Sequence, residues 1–230
     1  MVLELGGSDA FVVLDDADLD PAIAEGVASR CLNNGQSCIA AKRFIVLDAV
    51  FDRFRDRFVA EMSERVAGDP RLPGTRLGPL AREDLRDVLG GQVDRARAAG
   101  GRILAGGATS EGPGFYYPAT VIADLPPDSE PAREELFGPA ALLFRCRSED
   151  EAIAIANGTD YGLGASLWTR DAARAKRLVP RIQAGSVFVN GLVKSDPRLP
   201  FGGIKDSGFG RELSREGILE FVNFKTVWMR

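Results

Sequence analysis

Residues 43–66 read RFIVLDAVFDRFRDRFVAEMSERV, a short apolar run followed directly by a longer stretch of alternating apolar and charged residues. Residues 43–47 form a short run rich in apolar and β-branched side chains, which predicts a strand. Apolar residues then recur at near-helical spacing, which predicts an amphipathic helix over about 49–66; they are Val50, Phe51, Phe54, Phe58, Met62 and Val66. A strand joined directly to an amphipathic helix is typical of βαβ units, in which neighbouring strands run parallel.

The same alternation extends over the rest of the chain. We predict further strands at 2–5, 10–14, 102–105, 119–123, 140–144, 163–168 and 186–189, and further helices from Asp20 towards Asn33, around 85–93, at 149–157 and at 171–183. Asp20-Pro21 is expected to open the first of these helices, Gly90-Gly91 weakens the second, and Gly112-Pro113-Gly114 indicates a loop. We therefore predict an α/β fold in which a mostly parallel, twisted sheet carries helices on both faces.

The amino-acid composition argues against several classes of partner and of catalytic group. The 230 residues carry a formal net charge of −4, so no excess positive charge is available to attract nucleic acid or an anionic membrane. The first residues lack the features of a signal peptide, and we expect a cytoplasmic protein. Three cysteines in no CxxC spacing predict neither a disulfide framework nor a metal site. Because the chain has no histidine, any catalytic base must be a carboxylate, a lysine, a tyrosine or water.

Two short segments contain candidate reactive side chains. Cys38 ends the polar, glycine-containing run NNGQSC, where it is either an exposed nucleophile or a small buried residue, as most free cysteines are. Glu4 is followed by Gly6-Gly7 at the end of a predicted strand, where the backbone turns sharply and can approach a ligand closely. In a chain without histidine, a strand-end glutamate and a loop cysteine are a plausible base and nucleophile.

The order of five motifs resembles the aldehyde dehydrogenase superfamily over essentially the whole chain. The motifs are LELGG at 3–7, NNGQSC at 33–38, EELFGP at 134–139, GSVFVN at 185–190, and PFGGIK at 200–205 continuing into SGFGRE at 207–212. Each motif is weak alone, but a chance match of all five in order is remote. The resemblance implies a nicotinamide-dependent oxidoreductase that takes a small aldehyde.

The resemblance also assigns roles to particular residues. It implies that Cys38 attacks the aldehyde to form a thiohemiacetal and then a thioester, while its backbone N–H donates to the oxyanion. Glu4 becomes the base. Glu212 becomes a second carboxylate that relays protons, although a helix-start carboxylate is an equal alternative.

The cofactor implied by the resemblance is NAD or NADP. Glu135 corresponds to the glutamate that binds the nicotinamide ribose, and Phe137 corresponds to the phenylalanine that packs near the nicotinamide. Leu5 belongs to the same cofactor-binding group. A turn-capping role for Glu135 and a core position for Phe137 are the alternatives.

The stretches ELGGSD at 4–9, AAKRF at 40–44, SGFGREL at 207–213 and KTVW at 225–228 make the chain look most similar, within the superfamily, to bacterial succinate-semialdehyde dehydrogenases. A substrate that ends in a carboxylate needs a cation, but Leu32 occupies the position six residues before the nucleophile where characterised members carry arginine. Arg30, Lys194 and Arg198 are the alternatives, and Ser195 and Arg198 are placed on the substrate loop. Ala40 replaces the second cysteine of redox-regulated members.

We expect residues 1–222 to form the catalytic domain, with 1–35 as the end of the cofactor-binding part and with the preceding dinucleotide-binding domain absent. Residues 223–230 are expected to form a strand that joins subunits into a homodimer or homotetramer. Two other functions remain open: a cofactor-independent thiol esterase, and a non-enzymatic subunit whose terminal strand pairs with a partner sheet.

Overall fold

A computed structural model of the chain describes residues 1–109 and 113–230, so Gly112 of the predicted loop lies outside the described residues. The strands are β1 (Leu3–Glu4), β2 (Ala10–Val13), β3 (Arg43–Leu47), β4 (Arg102–Ala105), β5 (Thr120–Ala123), β6 (Ala140–Cys146), β7 (Tyr161–Gly162), β8 (Gly164–Trp168), β9 (Ser186–Val189), β10 (Ile204–Lys205) and β11 (Gly208–Phe209). The helices are α1 (Leu19–Cys31), α2 (Asp48–Ser63), α3 (Glu83–Ala98), α4 (Glu130–Arg133), α5 (Glu149–Asn157), α6 (Ala172–Leu178) and α7 (Ser214–Leu219).

Seven strands form the main sheet, in the order β4-β5-β6-β3-β2-β8-β9. Every neighbouring pair is parallel except β4 and β5, which are antiparallel at one edge. Two small antiparallel ladders lie outside this sheet, one between β1 and β11 and one between β7 and β10. The predicted mixed α/β fold with a mostly parallel sheet is confirmed.

Helices cover both faces of the sheet, as predicted. Side chains of β2 alternate between two separate cores, because successive residues of a strand point to opposite faces. Ala10 and Val12 join the core that contains residues of α3, α5 and α6, whereas Phe11 and Val13 join the core that contains residues of α1 and α2. The second core is rich in aromatic side chains, and the rings of Phe44 and Phe58 lie 4.5 Å apart.

The predicted helix after β3 forms, but it ends three residues early. α2 stops at Ser63, and Val66 is 70% exposed rather than part of the apolar face. Helix α1 begins at Leu19 with Asp18 as its N-cap, so the prediction that Asp20 caps it is wrong by two residues. The Asp18 carboxylate accepts the N–H of Asp20 at 3.4 Å.

Two other stretches differ in detail from the prediction. The helix predicted over 171–183 is divided into α6 and a 3-10 turn over Val179–Arg181, because Pro180 cannot donate a backbone hydrogen bond. The two-residue strands β7, β10 and β11 were not predicted, since runs this short have no periodicity.

The predicted terminal strand has no strand partner within the described part of this chain. Residues 223–230 are exposed, and they follow α7 without joining either the main sheet or the small ladders. Among the described helices, none has both the length and the apolar character needed to cross a membrane.

Replacing Gly90 with alanine is expected to stabilise the protein by about 1 kcal/mol, because Gly90 lies inside α3 and alanine has the higher helix propensity. A Cβ atom at this position would approach other atoms no closer than 3.9 Å. Gly101→Ala is the control, since its Cβ would lie 2.8 Å from the backbone oxygen of Ala96, and it is expected to destabilise. Urea unfolding measures both, and a Gly90→Ala protein less stable than the parent would contradict the prediction.

Candidate active site

Cys38 follows a turn in which three consecutive residues have a left-handed backbone. Helix α1 is followed by a 3-10 turn over Leu32–Gly35, where φ is 50° at Asn33, 57° at Asn34 and 76° at Gly35. Asparagine and glycine adopt this conformation with the least strain, which explains the local sequence. The chain is thereby directed back towards the start of β3, with Cys38 in the connecting turn.

Side-chain hydrogen bonds fix this turn against the rest of the protein. Asn34 accepts the N–H of Gly78 through Oδ1 at 2.8 Å and donates through Nδ2 to the carbonyl of Pro79 at 3.2 Å. Arg30 is fully buried and donates through Nη2 to the carbonyl of Gly35 at 2.7 Å. The backbone leading to Cys38 is therefore held from both sides.

The Cys38 thiol is half-buried, and its electrostatic surroundings are mixed. Burial raises its pKa above the usual value, the nearby Lys42 ammonium lowers it, and the Asp9 carboxylate raises it. Lys42 is buried and donates to the carbonyl oxygen of Cys38 itself at 2.9 Å. A thiol in this position can be ionised with help from a base, and it is reachable because it is not fully enclosed.

Glu4 lies on β1, opposite Gly208 of β11. Both carboxylate oxygens are buried without a hydrogen-bond partner among the residues that the structure describes. Burial raises the pKa of Glu4, and the nearby Glu212 carboxylate raises it further, while Arg211 lowers it. A carboxyl with a raised pKa is suited to accept and return a proton at moderate pH.

The predicted catalytic residues are thus brought together only in part. Glu4 and Glu212 share one electrostatic environment, and a Cβ atom on Gly202 would lie 2.8 Å from Glu4 Oε1. No hydrogen bond joins Glu4 to Cys38 within the described residues. The segment that follows Glu4 does approach the Cys38 turn, since a Cβ atom on Gly7 would lie 2.6 Å from the Cys38 carbonyl oxygen.

Glu135 approaches the same turn from the segment before β6. Its Oε1 accepts the N–H of Gly7 at 2.9 Å and lies 3.8 Å from Lys42 Nζ. A Cβ atom on Gly6 would lie 2.6 Å from Oε2, so only glycine leaves room for the carboxylate at this point. Of the two carboxylate oxygens, Oε2 has no hydrogen bond to the described residues, and an oxygen of this kind fits a sugar hydroxyl.

The other two predicted cofactor residues lie close to Glu135 in sequence or space. Phe137 follows it by two residues and is half-buried. Leu5 follows Glu4, is 51% exposed, and donates its N–H to the carbonyl of Ser207 at 3.1 Å. An acidic acceptor beside partly exposed apolar side chains fits the ribose and ring of a nicotinamide nucleotide.

The site lies at the amino ends of the parallel strands. Gly7 precedes β2, Cys38 precedes β3 and Glu135 precedes β6.

A sequence model of the aldehyde dehydrogenase family matches residues 1–227.

This chain belongs to the aldehyde dehydrogenase family. The chain is 54% identical over 228 residues to succinate-semialdehyde dehydrogenase [NADP(+)] 1 of Mycobacterium ulcerans, covering 99% of the chain and 50% of that relative. It is 53% identical over 99% of its length to a probable succinate-semialdehyde dehydrogenase [NADP(+)] of Synechocystis, of which it covers 50%. The chain therefore spans about half the length of the curated relatives it matches.

Solved aldehyde dehydrogenases share the fold. The succinic semialdehyde dehydrogenase of Streptococcus pyogenes, in complex with NADP+, matches with a TM-score of 0.95 and 40% identity over 99% of this chain and 50% of that one. The lactaldehyde dehydrogenase of Escherichia coli matches with a TM-score of 0.96 and 31% identity over 99% of this chain and 48% of that one. These matches favour neither the esterase nor the interaction-subunit alternative.

The three cationic side chains suggested as contacts for a substrate carboxylate differ in burial and in ion pairing. Arg30 is fully buried and bound to a backbone carbonyl, so it is unsuited to meet a substrate. Arg198 lies on an exposed loop and pairs with Asp196 at 2.6 Å, which lowers the pKa of that carboxyl. Lys194 and Ser195 are exposed on the same loop.

Sequence reasoning missed two buried residues of this aldehyde dehydrogenase site, Lys42 and Asp9. Both have exposed fractions of 2% or less, and Asp9 Oδ2 has no hydrogen-bond partner among the described residues. The available signal was a charged residue beside each predicted buried strand. Charged groups are seldom fully buried unless they are bound to other polar groups.

Gly7→Ala is expected to reduce the free energy of unfolding by about 1–3 kcal/mol, because the new Cβ would collide with the Cys38 carbonyl oxygen and both segments are held in place. Gly91→Ala is the matched control, since its Cβ would meet only the end of the Arg95 side chain at 3.7 Å. Chemical denaturation of the two variants tests this, and equal stability of Gly7→Ala and the parent would argue against the close approach.

Proposed function

We propose that this chain forms the catalytic part of an NADP-dependent aldehyde dehydrogenase that oxidises succinate semialdehyde. The observation that carries the proposal is the 54% identity over nearly the whole chain to a relative named for this substrate and cofactor. Because the chain spans half of that relative, the activity of the whole protein is part of the proposal.

Cys38 is the proposed nucleophile. Its thiol loses a proton and its sulfur forms a bond to the aldehyde carbon, which gives a thiohemiacetal whose oxyanion accepts the backbone N–H of Cys38. A bound nicotinamide would supply the chemistry of a hydride acceptor, so that loss of a hydride from the thiohemiacetal carbon leaves a thioester on Cys38. Water then attacks the thioester on Cys38, so that the carboxylic acid leaves and the thiol is regenerated. The fixed turn and the half-buried position of Cys38 support this role.

Glu4 is the proposed base for the thiol and for the hydrolytic water. Its buried, unpartnered carboxylate and raised pKa support a group that accepts and releases protons. Glu212 is the proposed second carboxylate, which exchanges protons with Glu4. The influence of its charge on the pKa of Glu4 places it near that carboxyl and supports the assignment.

Glu135, Phe137 and Leu5 are the proposed contacts to the nicotinamide end of the cofactor. Glu135 would accept hydroxyls of the ribose through Oε2, while Oε1 remains bound to Gly7. Phe137 and Leu5 would pack against the ring. The names of the mycobacterial and Synechocystis relatives support NADP over NAD.

The proposed contacts to the substrate carboxylate are Ser195 and a cation on the loop at 194–198. Lys194 is exposed, and Arg198 is exposed but already paired with Asp196, which favours Lys194 as the cation. Arg30 is excluded from this role by its burial.

The proposed organisation follows the sequence expectation. Residues 1–222 act as the catalytic domain and residues 223–230 act as the strand that joins subunits into a homodimer or homotetramer in the cytoplasm. The exposed apolar side chains of this segment support assembly, since Phe224 is 83% and Trp228 is 79% exposed.

The decisive experiment follows reduction of NADP with succinate semialdehyde by the 230-residue chain, alone and mixed with the part of the mycobacterial relative that precedes the matched region. Turnover is expected in the mixture. Cys38→Ser should lower it by more than about a thousandfold, because the reacting sulfur is lost. Cys31→Ser is the control and should leave it unchanged. Turnover that survives in Cys38→Ser would refute the assignment of the nucleophile.

Glu212→Gln is expected to move the acidic limb of the pH profile of kcat/KM to lower pH. Glu4 must be ionised to act as a base, and the Glu212 charge raises its pKa. Removing that charge lowers the pKa of Glu4, so the ionised form persists to lower pH. Glu216→Gln, at an exposed position of α7, is the control. An unchanged acidic limb in Glu212→Gln would show that the charge of Glu212 does not act on Glu4.

A further inference from the structure

Lys42 makes three hydrogen bonds to the turn that holds Cys38. Its Nζ donates to the carbonyl oxygens of Ser37 at 3.0 Å, Cys38 at 2.9 Å and Ala40 at 2.9 Å. One side chain thus binds the backbone before, at and after the reactive cysteine. The turn therefore surrounds the Lys42 ammonium group, which holds it in addition to the hydrogen bonds of its own backbone.

The geometry requires the charged form of this lysine. An ammonium group has three N–H donors and no acceptor, and three carbonyl oxygens surround it; a neutral amine would leave one carbonyl facing a lone pair. The Lys42 side chain is fully buried, which lowers its pKa to about 8, and the nearby Arg30 lowers it as well, while Asp9, Glu135 and the Cys38 thiol raise it. At neutral pH a positive charge is therefore held directly behind the Cys38 turn.

Lys42 also joins the Cys38 turn to two acidic groups from neighbouring elements. Glu135 Oε1 lies 3.8 Å from Nζ and accepts the N–H of Gly7. The carbonyl of Asp9 accepts the backbone N–H of Lys42 at 3.0 Å, and the buried Asp9 carboxylate has its pKa raised by burial to about 7. The charged groups that act on Cys38 are thus Lys42, Asp9 and Glu135.

We propose that Lys42 is a positioning residue that shapes the Cys38 turn through its three carbonyl contacts and supplies the positive charge that favours the Cys38 thiolate, with the Asp9 carboxylate opposing it. The inference rests on the proposed function only for the identity of the nucleophile. The charge effect concerns the thiol itself and exists without aldehyde or cofactor.

The test measures the rate at which iodoacetamide alkylates Cys38 in the folded 230-residue chain as a function of pH, with the modified peptide quantified by mass spectrometry. Lys42→Met should slow alkylation about threefold below about pH 8, since loss of the nearby positive charge raises the pKa of the thiol and lowers the fraction of thiolate, an effect partly offset by the greater nucleophilicity of the thiolate that remains. The difference should fade above pH about 8, where Lys42 of the parent has itself lost its proton.

Asp9→Asn should act in the opposite direction. It removes a negative charge that disfavours the thiolate, so alkylation should accelerate above about pH 7, where the Asp9 carboxyl is ionised, and remain unchanged below it. This variant keeps an oxygen that can accept the N–H of Gly164, as Oδ1 does at 3.0 Å. If Lys42→Met does not fold, Asp9→Asn still tests whether the buried charges next to the turn control the reactivity of the Cys38 thiol.

Lys205→Met is the matched control. Lys205 likewise donates to two carbonyls, of Asn157 at 3.0 Å and Thr159 at 2.9 Å, but its charge does not act on Cys38. It should lose stability without altering the alkylation profile. The proposed charge effect is wrong if Lys42→Met changes the alkylation rate by the same factor at every pH. It is also wrong if the alkylation rate of Asp9→Asn has the same pH dependence as that of the parent. Failure of NADP reduction with normal alkylation profiles would instead overturn the proposed function alone.

Discussion

The parallel register between β2 and β3 is the constraint on which the site depends. It sets Ala10 opposite Arg43, so the segments that enter these two strands must lie side by side. Gly7 belongs to one entering segment and Cys38 to the other, and the Asp9 carbonyl joins them by accepting the N–H groups of both Lys42 and Arg43. Shifting the register by one residue would turn every side chain of the strand to the opposite core and would separate these segments.

Buried charge is the second feature that organises this edge of the sheet. Lys42, Arg30 and Arg43 are all buried, and each donates to at least one backbone carbonyl of the segments around it, although Arg30 Nε and Nη1 have no hydrogen-bond partner among the described residues. Removing a charge from water is costly unless its hydrogen-bonding groups are satisfied, so these loops are confined to conformations that offer their carbonyls. The same confinement that offsets the cost of burial holds the Cys38 turn in place before any ligand binds.

Several elements were predictable because their signals are local. The strand at Arg43–Leu47 and the helix at Glu149–Asn157 have the predicted bounds, since apolar runs and helical spacing fix them within a few residues. The helix end at Ser63 and the cap at Asp18 were not, because the apolar spacing continues to Val66 and both Asp18 and Asp20 are chemically suitable caps. Which residue ends or caps a helix depends on where the chain turns away to pack.

The family, the parallel sheet and the candidate residues Cys38, Glu4 and Glu135 could be inferred from the amino-acid sequence, because motif order and strand-helix alternation are properties of the linear chain. The surroundings of these residues became apparent only in the folded protein: the Glu212 charge acts on Glu4, Lys42 binds the backbone of the Cys38 turn, and Arg30 is fully buried. These relations depend on strand register and side-chain burial, which join residues far apart in sequence. The sequence around a lysine next to a strand does not show whether its side chain faces water or three carbonyl oxygens. That difference depends on how the surrounding elements pack.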